Sequence, residues 1–457
     1  MKKSLFVISD LHLGGTPAID GKPSFQMCSP SGRTRLAEFF RYLKDLHTSS
    51  QDVHLVLNGD IVDFLAEEKG EQAFTLPDEA ARAKLARIIE STAEVWSALQ
   101  ELLRTGAQLT LLLGNHDIEL SLPGPRRLML DTLGPGRVEF VFDHQALSEG
   151  PVLIEHGNVY DGWNVVSHRA LLEIRYHVSR NQTPAAFSPP AGSQLVVSVM
   201  NGIKEKYPWV DLLKPEDASL FPLLAVLHPP SVKMWPKILP LKARSILDGR
   251  KDPAKIGAGD RDKELVDLSL RLAYQGRDPA KVGVLDDLKD ACDLRKLANV
   301  KDRLQQIADL YQALRARVER TWRTLDVNQE LEEYKAGADQ AVARGYQVVI
   351  FGHTHLVKRI CFPNGSVYLN TGTWADLMKV PKAVLEGDQQ GGMQALERFV
   401  ADLAINNLDP WRQQVPTYAK VQLDQDKVKE ANVFFFNGKD VSEQVPVPDG
   451  PLTKLSY

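Results

Sequence analysis

Short apolar runs, each followed directly by polar residues, mark the first 160 residues and return near residue 350. Five such runs consist of β-branched and aliphatic residues: 5–8, 53–57, 109–113, 152–154 and 348–351. Apolar runs of this length, bounded by Gly, Asn and Asp, predict buried strands. Residues 33–47 and 79–104 instead predict helices, from apolar residues at helical spacing in the first and long-chain helix formers in the second. The alternation predicts an α/β layered fold with βαβ units.

The pattern changes between residues 160 and 345. Proline-rich stretches alternate there with helical spacing, and 262–344 is predicted to be helical with few breakers. Strand patterns then return: 346–351, 357–362, 366–371, 418–423 and 433–436. We therefore predict a catalytic domain formed by 1–159 and 346–440, a mainly helical insertion over 160–345, and an irregular tail over 441–457.

Composition places the chain among ordinary globular proteins. Of its 457 residues, 43% are hydrophobic and 25% are charged, which is enough for a sizeable core. The formal net charge of -4 gives no clear nucleic-acid signal. Three cysteines, none in a CxxC pair, do not indicate a disulfide framework or a thiolate zinc site. Without an apolar run long enough for a signal peptide or a spanning helix, the predicted location is the cytoplasm.

Metal-binding residue types follow each of the five apolar runs. The clusters read Asp-Leu-His, Asn-Gly-Asp, Gly-Asn-His-Asp, Glu-His-Gly and Gly-His-Thr-His. The candidate site residues within them are Asp10, His12, Asp60, Asn115, His116, Asp117, His156, His353 and His355. Side chains just beyond the carboxyl ends of neighbouring strands converge on one crevice. A set rich in Asp, His and Asn, with no Cys, is typical of two divalent cations held by oxygen and imidazole.

Each cluster also has an ordinary structural interpretation. Asp10 can cap a turn with His12 packed locally, Asp60 can cap a helix after an Asn-Gly turn, and His156 alone fits a core histidine. The Gly-Asn-His-Asp cluster is more specific, because a polar turn does not explain an amide, an imidazole and a carboxylate in succession. The joint pattern of five clusters favours the metal site.

The ordered series DxH, GD, GNHD, H and GHxH resembles that of the calcineurin-like metallophosphoesterases. The resemblance covers residues 10 to about 376, apart from 160–345, and implies two mixed β-sheets sandwiched between helices. It implies one cation on Asp10, His12, Asp60 and His355, and a second on Asp60, Asn115, His156 and His353. Mn²⁺ is the expected metal, with Fe, Zn, Ni or Mg as alternatives. A hydroxide between the cations would attack phosphorus in line, while His116, oriented by Asp117, would protonate the departing oxygen.

The chain is most similar to the UDP-2,3-diacylglucosamine diphosphatase branch and its bacterial relatives in residues 9–14 and 370–374. His116 and Asn158 depart from that branch, which usually has Arg and Asp at these places. We therefore expect a small or lipid-linked phosphate ester, and we assign no substrate-binding residue. Apolar residues within 221–239 either line an acyl groove or contact a membrane surface, or they pack onto the core, which is the favoured interpretation.

Two other functions fit parts of the pattern. A nuclease of the double-strand-break repair type would need a basic groove, which the net charge does not support. A metal-binding scaffold that binds a partner through the insertion would not need a general acid, so His116 and Asp117 argue against it. The sequence leaves the oligomeric state open.

Overall fold

A computed structural model describes residues 2–16, 25–66, 73–143, 146–184, 186–214, 216–230, 297–300, 302–321, 326–425, 427–437 and 442–444. Twelve strands lie in this part of the chain: β1 (Lys2–Ile8), β2 (Gln51–Asn58), β3 (Gln108–Leu112), β4 (Arg137–Val141), β5 (Ala146–Glu149), β6 (Val152–Glu155), β7 (Val348–Phe351), β8 (Val357–Cys361), β9 (Val367–Thr371), β10 (Thr417–Asp424), β11 (Lys427–Phe436) and β12 (Ser442–Gln444).

Twelve α-helices accompany them in the described ranges: α1 (Pro30–Leu46), α2 (Asp78–Ser91), α3 (Ala93–Leu103), α4 (Pro123–Leu133), α5 (His168–Val178), α6 (Ala191–Leu195), α7 (Asn201–Lys204), α8 (Glu216–Leu227), α9 (Arg303–Thr321), α10 (Glu332–Ala343), α11 (Lys382–Glu386) and α12 (Gln389–Ala404). Each of the helices described here is too short or too polar to span a membrane.

The strands form two mixed sheets. The larger has the order β12-β11-β10-β1-β2-β3-β4, and the smaller has the order β5-β6-β7-β9-β8. Strands β1 to β4 are parallel to one another, as are β6, β7 and β9, whereas β10 to β12, β5 and β8 pair antiparallel with their neighbours. The motif-bearing strands are therefore the parallel ones, and they end at the same edge of each sheet.

Side-chain alternation explains how the two sheets are layered. Leu5 and Val7 of β1 point into a core shared with Ile154 and Ile350 of the smaller sheet. Phe6 and Ile8 point to the opposite face, where helices α1 to α4 pack. Helix α10 covers the outer face of the smaller sheet. The result is the predicted sandwich of two mixed sheets between helices.

The prediction of one helix over 79–104 was wrong in detail. The helix is interrupted at Thr92 (φ -129°, ψ 29°), which separates α2 from α3. The Thr92 hydroxyl donates to the Ile88 carbonyl at 2.7 Å and accepts from the Trp96 indole at 2.9 Å. These bonds stabilise the break, because a threonine hydroxyl competes with the helical hydrogen bonds. Residues 442–444 of the predicted irregular tail form β12, paired with β11.

A second core, made of helices, lies beside the sandwich. It combines α7, α8 and α9 of the predicted insertion with α11 and α12, which follow β9. Leu223 and Leu224 are buried in this core, as the favoured packing interpretation expects. Other apolar residues of that stretch, from 231 to 239, and the predicted helical region 262–296 lie outside the described residues. Helix α5 instead packs against helices α1 to α4 on the larger sheet, so the described helices of the predicted insertion belong to more than one core.

Candidate metal centre

The site lies where strands of both sheets end. Asp10 follows β1, Asp60 follows β2 and Asn115 follows β3, while His156 and His353 follow β6 and β7. Backbone hydrogen bonds join these turns across the strands. The Asp10 N–H donates to the carbonyl of Gly59 at 3.2 Å, and the His12 N–H donates to the carbonyl of Asp60 at 2.9 Å. Convergence therefore follows from the parallel pairing of neighbouring strands.

Asp10, His12 and His355 form the first group of candidate ligands. One donor atom from each lies within 4.8 Å of the others, and all three residues are buried. The Nε2 atoms of His12 and His355 are 3.0 Å apart, and His355 Nε2 is 3.3 Å from Asp10 Oδ1. A carboxylate oxygen and two imidazole nitrogens facing one point are a donor set that fits a divalent cation.

Asp60, His156 and His353 form the second group, also within 4.8 Å of one another. Asp60 Oδ2 is 3.3 Å from His156 Nε2 and 3.8 Å from His12 Nε2, so this oxygen lies between the two groups. His156 Nδ1 donates to the carbonyl of Asn58 at 2.8 Å, which leaves the lone pair on Nε2, facing Asp60.

Asn115 supplies an oxygen that suits a cation. Its Oδ1 is buried and has no hydrogen-bond partner among the described residues, while its amide nitrogen donates to Asn164 Oδ1 at 3.4 Å. An unpaired buried carbonyl oxygen is costly, and a cation would satisfy it.

The backbone at the site is in an unusual conformation. Asp10, His12, Asp60, His353 and His355 all have positive φ, between 44° and 70°. L-residues rarely adopt this region, and each such residue costs of the order of 1–3 kcal/mol. With these backbone angles, the side chains of the DxH and HxH motifs lie close to one another. Strain concentrated in this way is a property of functional sites.

Gly59 also has a positive φ, of 78°. A Cβ there would lie 2.6 Å from His156 Nδ1 and 2.8 Å from the Gly114 Cα. Only glycine allows the turn after β2 to approach the neighbouring turns this closely.

His116 is paired with a carboxylate that the sequence interpretation did not include, Asp63. His116 Nδ1 lies 3.1 Å from Asp63 Oδ1. Burial alone would lower the pKa of His116, but Asp63 and Asp60 outweigh it and raise the pKa to about 9. The His116 side chain is 18% exposed, against 2% for Asp63, so the imidazole reaches the open side of the site. The signal in the sequence was the carboxylate three residues after Asp60.

Asp117 does not contact the imidazole of His116, contrary to the expectation that it orients this ring. Its carboxylate accepts the N–H of Ile61 and the N–H of Gly114, both at 2.7 Å. These bonds engage both carboxylate oxygens and tie the turn after β2 to the turn after β3. Burial, reinforced by the nearby Asp60 charge, raises the pKa of Asp117 to about 7.

The segment predicted to be an insertion reaches the site. Asn201 of α7 donates to the carbonyl of Leu65 at 2.7 Å, two residues after Asp63. Lys204 of the same helix is buried, pairs with Asp211, and opposes the rise in the pKa of His116. Burial, together with the positive charge of Lys214, lowers the pKa of His355 to about 3. Two lysines of the predicted insertion, Lys204 and Lys214, therefore affect the pKa values of His116 and His355.

Asp161 is a further carboxylate at the site that sequence reasoning missed. Its Oδ2 lies 3.1 Å from His353 Nε2. Burial alone would raise the pKa of Asp161, but His353 lowers it.

Comparison with known proteins found a family model that matches the first part of the chain. Residues 3–196 match the family model described as calcineurin-like phosphoesterase, which covers the motifs up to His156. The chain is also similar to a crystal structure of a dimetal phosphatase from Danio rerio, with 11% sequence identity and a TM-score of 0.31, covering 95% of this chain and 99% of that one. So low a TM-score carries no argument about this chain. None of the curated proteins matches it.

The matched family implies two divalent metals, and the two groups described above are candidate ligands for them, alongside a third group formed by His12, Asp63 and His116. Residues 3–196 thus match the calcineurin-like phosphoesterase model, and this match, with the candidate ligand groups, supports a metal-dependent phosphoesterase.

Proposed function

We propose that this enzyme binds two divalent cations and hydrolyses a phosphate mono- or diester, with Asp60 bridging the cations. The observation that carries the proposal is the position of Asp60 Oδ2, 3.8 Å from His12 Nε2 and 3.3 Å from His156 Nε2. A single carboxylate can serve two cations, because its oxygens carry enough lone pairs. The proposed ligands are Asp10, His12, Asp60 and His355 for the first cation, and Asp60, Asn115, His156 and His353 for the second.

Mn²⁺ is the metal that we propose, because the donor set includes carboxylate and amide oxygens, which suit it, and contains no thiolate. Two divalent cations in such a site activate water and neutralise the charge on the phosphoryl oxygens. The protein's own contribution is to hold the ligands rigidly in the buried crevice, where the strained turns orient them before substrate arrives.

His116 is proposed as the general acid that protonates the departing oxygen. Its raised pKa keeps the imidazole protonated at neutral pH, and its partial exposure allows contact with a leaving group. Asp63 is proposed as the residue that positions His116, a role we had expected of Asp117. Asp117 is proposed to act through the backbone, by fixing the turns that carry Asp60 and Asn115.

The proposed substrate is a small or lipid-linked phosphate ester. Lys204 and Lys214, contributed by the insertion, add positive charge near His116 and His355 and support an anionic substrate. The described apolar residues of 220–227 pack into the second core, so they lend no support to an acyl groove.

A screen of phosphate esters tests the proposal against its alternatives. The full chain with added Mn²⁺ should hydrolyse p-nitrophenyl phosphate or its bis-ester. No hydrolysis of either ester with any of several divalent metals would favour a metal-binding scaffold. Degradation of double-stranded DNA in the same screen would favour a nuclease.

His116→Ala tests the role of the general acid. We expect turnover to fall by roughly 10²- to 10⁴-fold, the usual contribution of general acid catalysis, with the metal content unchanged. His177→Ala, on α5 and outside the site, is the matched control and should retain turnover. If His116→Ala keeps full activity, another group protonates the leaving oxygen.

A further inference from the structure

Asp161 and Asn164 form a hydrogen-bonded network behind two of the proposed ligands. The Asp161 carboxylate accepts the N–H of Trp163 at 2.9 Å through Oδ1. Its Oδ2 accepts the Asn164 side-chain amide at 2.7 Å and lies 3.1 Å from His353 Nε2. One carboxylate thus contacts both His353 and the residue that contacts Asn115.

This network determines which side of the Asn115 amide faces the site. Asn164 Nδ2 is the atom that donates to Asp161, so Asn164 Oδ1 must act as an acceptor. That oxygen accepts from Asn115 Nδ2 at 3.4 Å. Asn115 Oδ1 is then turned inward, where it is buried without a hydrogen-bond partner among the residues described. A flipped amide would present N–H donors to the site, and these cannot bind a cation.

The same carboxylate selects the nitrogen that His353 offers. When His353 Nε2 carries the hydrogen and donates it to Asp161, Nδ1 keeps the lone pair that a cation requires. Carboxylates that accept from a ligating histidine in this way fix the ring and its tautomer.

Helix α6 of the predicted insertion contacts the residues that form this network. The Gly192 N–H, in the first turn of α6, donates to the carbonyl of Trp163 at 2.8 Å. A Cβ at Gly192 would lie 2.2 Å from Asn164 Oδ1 and 3.0 Å from its Cγ. The start of α6 therefore packs directly against the Asn164 amide, and any side chain at Gly192 would displace that amide.

We propose that Asp161 and Asn164 are positioning residues for the second cation, and that α6 of the insertion holds them in place. This inference rests on the proposed function, since the second cation is the one assigned to Asp60, Asn115, His156 and His353. Residues that orient metal ligands are typically worth about 10- to 100-fold in metal affinity. The network thereby couples the helical insertion to the affinity of one cation and not of the other.

Calorimetric titration of the full, metal-stripped chain with Mn²⁺ tests this inference. The wild type should bind two equivalents. Asp161→Asn and Asn164→Ala should weaken one site by roughly 10- to 100-fold and leave the other unchanged. Asn115→Ala, which removes a proposed ligand, identifies the site that responds.

Gly192→Ala is the sharpest variant, because it removes no donor atom and acts only by displacing Asn164. It should weaken the same site as Asn115→Ala. Gly202→Ala in α7 is its matched control within the insertion, because a Cβ there has no atom within 4 Å among the described residues. This control should bind both equivalents as the wild type does.

The outcomes separate the two proposals. A wild type that binds fewer than two equivalents contradicts the dinuclear site itself. A wild type that binds two, with Asp161→Asn and Asn164→Ala both at wild-type affinity, overturns the network alone. Equal weakening of both sites would also overturn it, because the network would then lack selectivity. Thermal melting of the metal-free variants checks folding, and the isosteric Asp161→Asn decides the matter if Asn164→Ala does not fold.

Discussion

Asp63 Oδ1 lies 3.1 Å from His116 Nδ1, and the same oxygen accepts the N–H of Leu65 at 3.0 Å and that of Ala66 at 3.1 Å. These two N–H donors hold the Asp63 carboxylate in place independently of its contact with the imidazole. Burial alone would raise the pKa of Asp63, but His116 and His12 hold it well below its ordinary value. The lowered pKa favours the charged form of Asp63, which is a rigidly held partner for His116.

Asp63→Asn should move the alkaline limb of the pH–rate profile to lower pH. Asp63 raises the pKa of His116, so its loss lowers that pKa. A general acid is active while protonated, and the active form is then lost at a lower pH as the pH rises. The measurement is kcat/KM against pH for p-nitrophenyl phosphate hydrolysis, with metal content checked in parallel. An unshifted alkaline limb with full metal content would show that Asp63 does not control His116.

Asp60→Ala should lose most of the bound metal. Asp60 Oδ2 is the oxygen that faces both candidate ligand groups, so both proposed cations depend on it. Metal content measured by elemental analysis after dialysis should fall from two equivalents to below one. Two retained equivalents would contradict the bridging role.

Gly114→Ala should disrupt the site without removing any side chain. A Cβ at Gly114 would lie 2.0 Å from Asp60 Oδ1 and 2.4 Å from the Asp60 nitrogen, so the bridging residue must move. Overpacking of this kind costs roughly 1–3 kcal/mol in stability, and we expect a loss of metal affinity as well. Gly136→Ala is the control, because its Cβ would only make an ordinary 3.4 Å contact with Leu103. Equal behaviour of the two variants would argue against a steric constraint at Gly114.

His54 should make the protein less stable in acid. Burial, helped by Lys3 and Arg137, lowers the pKa of this histidine to about 3, whereas its ordinary value is 6.5. Between these values the unfolded chain binds the proton and the folded chain does not, so the free energy of unfolding rises with pH. The contribution is at most about 1.4 kcal/mol per pH unit. Urea unfolding of wild type and His54→Gln across this window should show a smaller slope in the variant. Identical slopes would mean that His54 takes up its proton in the folded state.

Local pattern was enough to predict the elements that carry the site. The apolar runs before Asp10, Asp60 and Asn115 form β1, β2 and β3, because a buried strand with a turn after it is encoded by a few adjacent residues. Likewise, the predicted strand before His353 forms β7. The convergence of these strand ends followed from the rule that parallel strands share an edge.

Contacts between residues distant in sequence could not be predicted from that local pattern. The neighbouring Asp117 was expected beside His116, yet Asp63 lies there, because the direction of a side chain in a turn depends on which backbone N–H groups surround it. Asp161 and Asn164 carry no motif of their own and acquire a role only when His353 and Asn115 fold against them.

The order of residue types along the chain was thus sufficient to predict the strands that precede the candidate site residues and the chemistry of the donor atoms, whereas β4 and β5 were not predicted. Tertiary structure alone decided which carboxylate pairs with which imidazole. It also brought helices that precede β7 in the sequence and helices that follow β9 into one second core. The physical reason is that hydrophobic periodicity is a local property, whereas hydrogen-bond partners and core contacts are selected among groups hundreds of residues apart.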